Sequence, residues 1–292
     1  MIVKQKIKQL LLSEMPDIAP NSVSEIERIQ ENSFRIYRQV DSIFLKWIKH
    51  NDIKGQNEIQ KYLNSLNPDE ICIPRLLGQI RNEDGILGVW EYLDGSDLRE
   101  NNRSRIPEAF RALGAFHLRH VSQTGAESEI TNSIHASISD MLDYEVRIIS
   151  KISSDSMIQD CRDILRILES GFVTLTHGDI HPGNLILSRD RICFVDWGYS
   201  RYTLNFSDLG YLWDRDICNE VPEGWWMIKE AARDSLQTYL DAIEKGSLSL
   251  RELMLAVMIR SQLYSYSNAI RNELKDAIIG CRKRLNCLIR VS

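Results

Sequence analysis

Glycine is missing from the first 54 residues of this 292-residue chain; the earliest is Gly55. That absence excludes an N-terminal glycine-rich loop of the kind that cradles phosphate groups on backbone amides. Cysteine is present but unorganised. Cys72, Cys161, Cys193, Cys218, Cys281 and Cys287 are far apart except for the last pair, and none falls in CxxC or other metal-ligand spacing. They read as reduced packing residues of a cytosolic protein. The opening Met1 to Leu12 has too short an apolar run for a signal peptide, and no later run approaches a membrane span. The expected location is the cytoplasm, with no membrane partner. There is no surplus of positive charge either. With 36 Lys and Arg against 41 Asp and Glu the formal net charge is -5, which argues against nucleic acid or an anionic membrane surface as main partner. Internal repeats, low-complexity tracts and proline-rich linkers are also lacking.

What is there is an ordinary globular composition, 43% hydrophobic and 26% charged, in a chain long enough for two lobes around a cleft. The character changes near residue 94. Before it, strand-like runs occupy Ile26 to Gln30, Phe34 to Val40, Ile43 to Ile48 after an Asp41-Ser42 turn, and Ile86 to Leu93. One helix-like segment, Gly55 to Leu66, carries Ile59, Tyr62, Leu63 and Leu66 at helical spacing. After Asp94-Gly95 the periodicity turns helical: Pro107 suits a first helical turn, with Phe110, Leu113 and His117 on one face. Further helical stretches cover roughly 134–170, 224–245 and 249–288. The expected fold class is α+β, with a small sheet-rich N-terminal lobe over 1–93 and a larger, mainly helical lobe over 94–292 carrying one β-hairpin.

That hairpin lies in the stretch Thr176 to Gly198, THGDIHPGNLILSRDRICFVDWG. Leu185 to Leu187 and Ile192 to Val195 are apolar runs joined by the polar Ser188-Arg189-Asp190-Arg191. Pairing Leu187 with Ile192 sets Asn184 opposite Val195 and Gly183 opposite Asp196, with about 4.5 to 5.5 Å between the Cα atoms of opposed residues. Asn184 and Asp196 then emerge together at the open end, where two oxygen side chains can share a hard cation. Asp179 precedes Asn184 by five residues, in a segment that Gly178, Pro182 and Gly183 keep irregular, so its carboxylate can turn toward the same point. Mg2+ suits a few protein oxygens completed by waters and substrate phosphates, and an unligated carboxylate nearby can orient a hydroxyl nucleophile. That equipment belongs to phosphoryl transfer.

The stretch resembles the catalytic and metal segments of the protein-kinase-like fold in its aminoglycoside phosphotransferase and choline kinase branch. HGDIHPGN keeps that family's asparagine five residues after the aspartate, with glycine where protein kinases carry arginine, and VDWG fits its metal-binding strand end. The resemblance implies a bilobal protein-kinase-like fold, with Asp179 as the catalytic base and Asn184 and Asp196 as Mg2+ ligands. It implies Lys46, in Phe-Leu-Lys-Trp, as the lysine on the α and β phosphates, and Glu58 as its ion-pair partner on the following helix. Val89 to Gly95 looks like the interlobe hinge whose backbone receives the adenine, which makes Glu91, Tyr92 and Leu93 cofactor-binding positions. Where protein kinases have a glycine-rich loop, this chain offers Glu31-Asn32-Ser33. Asparagine tolerates left-handed backbone and Ser33 supplies a hydroxyl and an amide, so Asn32 and Ser33 are the implied phosphate contacts. Asp208, in Phe206-Ser207-Asp208-Leu209, resembles the family aspartate that supports the catalytic loop. His177 is read as bracing that loop and His181 as lining the cleft. The implied cofactors are ATP, with GTP also admitted, and Mg2+. The resemblance covers about residues 25 to 215.

Two features pull in other directions. His177, Asp179 and His181 alternate and, if extended, would line one face as zinc ligands do. A binuclear metallophosphatase would need further histidines downstream, however, and His50, His117, His120 and His135 all lie upstream. The second feature bears on the acceptor. Residues 205–223 hold Asp208, Asp214, Asp216, Glu220 and Glu223 against Arg215 alone, with Tyr211, Trp213, Trp225 and Trp226 near in sequence. Carboxylates with aromatics suit a cationic amino alcohol or aminoglycoside-like substrate, so Trp213, Asp214 and Asp216 join His181 as candidate substrate contacts. The expected reaction is transfer of a γ-phosphoryl group to a hydroxyl of an amino-bearing small molecule, an aminoglycoside-like or other antibiotic, in resistance or self-protection. The alternatives are a metabolite kinase of choline, ethanolamine or sugar type, and a non-catalytic kinase-like binding or spore-coat-type protein. A peptide kinase fits poorly, because only eleven residues separate Asp196 from Asp208 and leave no room for a long activation segment.

Overall fold

Period-two alternation in the N-terminal third folds into a five-stranded antiparallel sheet. The structure is a computed structural model that describes residues 2–17, 25–30, 33–37, 42–48, 63–64, 66, 71–82, 85–99, 102–121, 171–213, 230–243 and 248–291. These divide into two compact units: Met1–Asp97 with Ile186–Trp197, and Leu98–Leu185 with Gly198–Ser292. Of the elements expected from the sequence, the helix over 134–170 and nearly all of that over 55–66 lie outside the described residues.

The first unit opens with α1 (Ile2–Glu14) and continues through β1 (Glu25–Gln30), β2 (Ser33–Tyr37), β3 (Ser42–Ile48), β4 (Leu76–Asn82) and β5 (Gly85–Glu91). The spatial order is β1-β2-β3-β5-β4. One face of the sheet builds the core: Ile36, Ile43, Leu45, Leu87 and Val89 are buried together with Ile7 and Leu11 of α1. Each such side chain contributes about 1.5 to 3 kcal/mol. Alternation along β3 then sends Phe44 and Lys46 to the opposite face, where the register sets Lys46 against Ser33 on one side and Gly88 on the other. Phe44 pairs with Trp90, with ring centroids 6.2 Å apart. The Trp90 ring lies across Gly88, where an added Cβ would stand 2.0 Å from it. β4 escapes the sequence reading because it is an edge strand whose Leu76 and Leu77 are only half-buried, which blurs its alternation.

A second sheet of this unit joins β6 (Ser96–Asp97), β8 (Leu185–Ser188) and β9 (Arg191–Phe194). β8 and β9 form the expected hairpin. Its two-residue loop has positive φ at both Arg189 (48°) and Asp190 (62°), the mirror-image turn whose twist matches paired strands. Cys72 and Cys193 correct the reading of the cysteines as uniformly reduced: they face each other across a parallel bridge and are joined by a disulfide. Their separation of 121 residues hid the pairing in the sequence, and in the chain-entropy picture a loop of that length makes the crosslink worth about 4 to 5 kcal/mol. Cys281 is free and buried.

The second unit is mainly helical. It contains α2 (Ile106–Arg119), β7 (Val173–Thr176), β10 (Arg201–Leu204), α3 (Phe206–Trp213), α4 (Glu230–Ile243), α5 (Leu250–Arg271) and α6 (Lys275–Val291). α2 starts at a proline-bearing first turn, with Glu108 there paired to Arg105 at 3.0 Å, and buries Phe110, Leu113, Phe116 and His117 along one face. Close packing on α4 requires Gly114, where a Cβ would come within 2.9 Å of the Ala242 side chain. Ser249 and Glu252 form a capping box at the start of α5. β7 and β10 pair antiparallel, with Thr176 opposite Arg201. Among the described residues no helix is long and apolar enough to cross a membrane.

The helical stretch expected over 249–288 is two helices. α5 ends in a Schellman arrangement: the Glu273 N–H reaches the Ile270 carbonyl at 3.1 Å and the Leu274 N–H reaches that of Ala269 at 2.9 Å. Glu273 supplies the left-handed residue, φ 57°, that this turn requires. A non-glycine residue there carries a backbone cost of about 1 to 2 kcal/mol. Glu273→Gly is therefore expected to raise stability by about 1 kcal/mol, read as a higher midpoint in urea with an unchanged slope.

Candidate active site

The loop from Thr176 to Asn184 owes its path to two glycines. Gly178 adopts φ +83°, and a Cβ there would lie 2.2 Å from the Tyr199 carbonyl oxygen. At Gly183 a Cβ would meet the His181 ring at 2.9 Å and the Arg99 guanidinium at 3.1 Å. Between them Ile180 is buried and Pro182 opens a single 3-10 turn ending at Asn184. His181 caps this turn, its Nδ1 accepting the Gly183 N–H at 3.0 Å.

This path brings Asp179, His181 and Asn184 together. The Asn184 amide nitrogen donates to the Asp179 carbonyl at 2.9 Å and to its carboxylate Oδ2 at 3.3 Å. His181 Nε2 stands 3.9 Å from the same Oδ2. The Asp179 side chain is 21% exposed, so the carboxylate is held from two sides and still reachable. The Asn184 side chain is buried, which makes its amide a fixed group.

The loop hangs from one buried carboxylate. Asp208, in the first turn of α3, accepts the backbone N–H of His177 on Oδ2 and that of Gly178 on Oδ1, both at 2.7 Å. Its Oδ2 also accepts from His117 Nε2 at 3.1 Å. Behind it, His117 Nδ1 lies 2.8 Å from the Tyr239 hydroxyl, which receives the Asn205 side-chain N–H at 3.1 Å. With Asn205 donating to it, the tyrosine donates to Nδ1, and His117 carries its proton on Nε2 toward Asp208. Asn205 in turn accepts the Phe172 N–H at 3.1 Å, and Thr174 donates to the His117 carbonyl at 2.8 Å. Burial pushes the Asp208 carboxyl up, but the His117 hydrogen bond, the favourable electrostatics of the His117 and His177 rings, and the Gly178 amide outweigh it and hold it below its ordinary value. Burial pushes the Tyr239 phenol far up, so it stays protonated.

In the first unit the structure joins Lys46 to Asp196, Nζ to Oδ1 at 2.6 Å. Asp196 follows β9 in left-handed backbone, φ 64°, and the turn is closed by the Trp197 indole N–H on the Phe194 carbonyl at 2.8 Å. Ser33 opens β2 beside Lys46. Glu91 ends β5, with its N–H on the Arg75 carbonyl and its carboxylate accepting the Arg75 N–H, each at 3.0 Å. The Tyr92 ring lies 3.8 Å beneath the Arg35 guanidinium and its hydroxyl accepts from Arg35 at 3.1 Å. Leu93 is half-buried in the coil after β5. Glu58, Asn32, Asp214 and Asp216 lie outside the described residues, and Trp213 is the last residue of α3.

The zinc arrangement of alternating histidines is not what forms. His177 and His181 each give Nδ1 to a backbone N–H, that of Asp179 at 3.3 Å and that of Gly183 at 3.0 Å. Among the described residues no three or more His, Cys, Asp and Glu side chains gather as a metal cage. The sequence reading missed His117, Asn205 and Tyr239 as parts of this site. Their one sequence signal is a buried-face histidine, and their partners lie up to 122 residues away.

The fold is that of the protein-kinase-like class. Among solved structures the chain is similar to an ethanolamine kinase of Plasmodium vivax (TM-score 0.64, 17% identity, covering 98% of this chain and 88% of that one). It is also similar to the choline kinase LicA of Streptococcus pneumoniae (TM-score 0.59, 14% identity, all of both chains). A third is a thermostable mutant of the aminoglycoside phosphotransferase APH(4)-Ia in a ternary complex with ADP and hygromycin B (TM-score 0.61, 14% identity, 98% of each chain). In sequence it is 23% identical to the Protein LicA homolog of Mycoplasma capricolum over 221 residues, 74% of this chain and 84% of that protein. The model of the phosphotransferase enzyme family matches residues 25–242, and the chain belongs to that family. It is a small-molecule phosphotransferase of the aminoglycoside phosphotransferase and choline kinase type, with a protein-kinase-like fold.

Removing the Asp208 carboxylate strands two backbone donors and the His117 N–H, so Asp208→Ala is expected to cost about 3 kcal/mol, measured by urea unfolding. Because the folded carboxyl titrates below its unfolded value of about 3.9, its contribution is complete above that pH and fades as the pH falls through the lower folded value. The stability gap between wild type and Asp208→Asn should accordingly shrink in strong acid and stay constant from pH 5 upward.

Proposed function

We propose that this phosphotransferase moves the γ-phosphoryl group of a nucleoside triphosphate to a hydroxyl of an amino-bearing small molecule. The observation that carries the reading is the partly exposed Asp179 carboxylate, held between the Asn184 amide and His181 on a loop tied to Asp208. A carboxylate so placed accepts a hydrogen bond from the acceptor hydroxyl, aligns its oxygen for in-line attack, and takes its proton as the new P–O bond forms. Its position is set by backbone and by the Asn184 amide, so little reorganisation accompanies the reaction.

Lys46 is read as the cation for the α and β phosphates of ATP or GTP, with Ser33 beside it at the start of β2. The Asp196 carboxylate and the Asn184 side-chain oxygen are hard donors suited to Mg2+, since Asn184 spends its nitrogen on Asp179 and keeps the oxygen for a cation. When bound, that ion neutralises phosphate charge. Asp208 and His177 act through the loop rather than on substrate.

For the acceptor, the small amino alcohols come first. The Mycoplasma LicA homolog, the Streptococcus choline kinase and the Plasmodium ethanolamine kinase support this reading, and so does the acidic, aromatic composition of residues 205–223. The hygromycin B complex of APH(4)-Ia supports a second reading, an aminoglycoside acceptor and a role in resistance.

Asp179→Asn should lower kcat by about 10^2- to 10^4-fold while nucleotide affinity is retained, measured by ADP release and by calorimetry. Undiminished turnover in that variant overturns the assignment. ADP release across choline, ethanolamine, aminoglycosides and sugars should show stimulation by a cationic acceptor. Stimulation by neutral sugars alone overturns the cationic preference.

A further inference from the structure

Every segment joined by the Cys72–Cys193 disulfide leads to Lys46 or to Asp196. Cys72 begins the stretch that runs through Pro74 into β4; β4 pairs with β5, and β5 with the β3 strand that carries Lys46. Cys193 is the third residue of β9, and Asp196 follows three residues later. Beside the crosslink the Phe194 N–H donates to the Cys72 carbonyl at 2.8 Å, and the Phe194 carbonyl receives the Trp197 indole. All of these residues belong to the first unit.

Asp196 has reason to need such an anchor. Left-handed backbone is unfavourable for a residue with a side chain, and it persists only where the surroundings hold it. The Lys46–Asp196 pair, with side chains 25% and 36% exposed, is too open to provide that hold by itself. β9 lies at the edge of its sheet, and the Cys72 bridge supports it beyond β8.

We propose that the Cys72–Cys193 disulfide is a positioning crosslink for the nucleotide site: it holds Asp196 against Lys46, and its reduction loosens that pair and weakens nucleotide binding. The inference rests on the reading of Lys46 and Asp196 as phosphate and metal residues. The crosslink is more open to exchange at one end, because Cys72 is only partly buried while Cys193 is fully buried. A phosphine delivers two electrons to the S–S bond; two thiols form with two protons, and the phosphine leaves as its oxide with oxygen from water. Glutathione disulfide reverses this. The Cys72 thiolate displaces one glutathione thiolate, then the Cys193 thiolate attacks the Cys72 sulfur and displaces the second.

The test compares the full chain, air-oxidised and phosphine-treated, by thiol titration, amide hydrogen exchange and calorimetry with a non-hydrolysable ATP analogue plus Mg2+. Reduction should expose two further thiols and speed exchange of the Phe194 amide about tenfold. It should also weaken nucleotide affinity at least about fivefold, with the acceptor KM unchanged and glutathione disulfide restoring the oxidised values. Cys72→Ser should match the reduced protein in Phe194 exchange and nucleotide affinity and show no change in either on phosphine treatment, whereas Cys281→Ala should match wild type in both. An equal thiol count in both forms overturns the proposal, as does a change of two thiols with exchange and affinity unmoved. If neither form binds nucleotide while Phe194 exchange still responds, the kinase reading falls and the crosslink stands as the anchor of Asp196.

Discussion

The buried carboxylate of Asp208 is the constraint on which the second unit depends. Three donors meet its fully buried side chain: the amides of His177 and Gly178 and the ring of His117. Two of these belong to the loop that bears Asp179, so the burial of one charge decides where another is presented. A charge sunk so deep is tolerated only because its hydrogen bonds replace those of water. The Asn205–Tyr239–His117 chain extends that bargain to α2, α4 and β7, which is why the helical packing and the loop geometry form one system.

The first unit works by a different device. Strict alternation along β3 puts Ile43 and Leu45 into the core and Lys46 on the opposite face, at a height fixed by its pairing with Ser33 and Gly88. Asp196 meets Lys46 only because the chain turns left-handed immediately after β9. Side chains that carry charge are therefore placed by rigid elements: a strand for the lysine, a hairpin end for the aspartate. This suits phosphoryl transfer, in which alignment and electrostatics supply most of the catalysis.

Much of this was legible along the chain. The hairpin showed in two apolar runs around Ser188 to Arg191, and the loop in the spacing of Gly178, Asp179, Gly183 and Asn184. α2 announced itself by Pro107 and by the face of Phe110, Leu113 and His117. Other features gave little or misleading signal. Cys72 and Cys193 looked like isolated packing residues because nothing local distinguishes a cysteine whose partner is 121 residues distant. The break between α5 and α6 was invisible because a glutamate occupies the left-handed turn where glycine would have marked it. β4 carries too weak an alternation to stand out from coil.

What the sequence by itself determined was the set of local conformations and the side-chain chemistry attached to them: strands and helices from period, the loop from its glycines and proline, and an expectation of the reaction class from oxygen side chains at fixed spacing. Those follow from interactions among residues a few positions apart, which the order of the chain prescribes. Tertiary structure alone decided the partners: that Asp208 answers His117, 91 residues earlier, that Lys46 meets Asp196 across 150 residues, and that two cysteines join. Such pairings depend on sheet register and helix packing, set by burial of the whole core, and no local stretch of sequence contains that information.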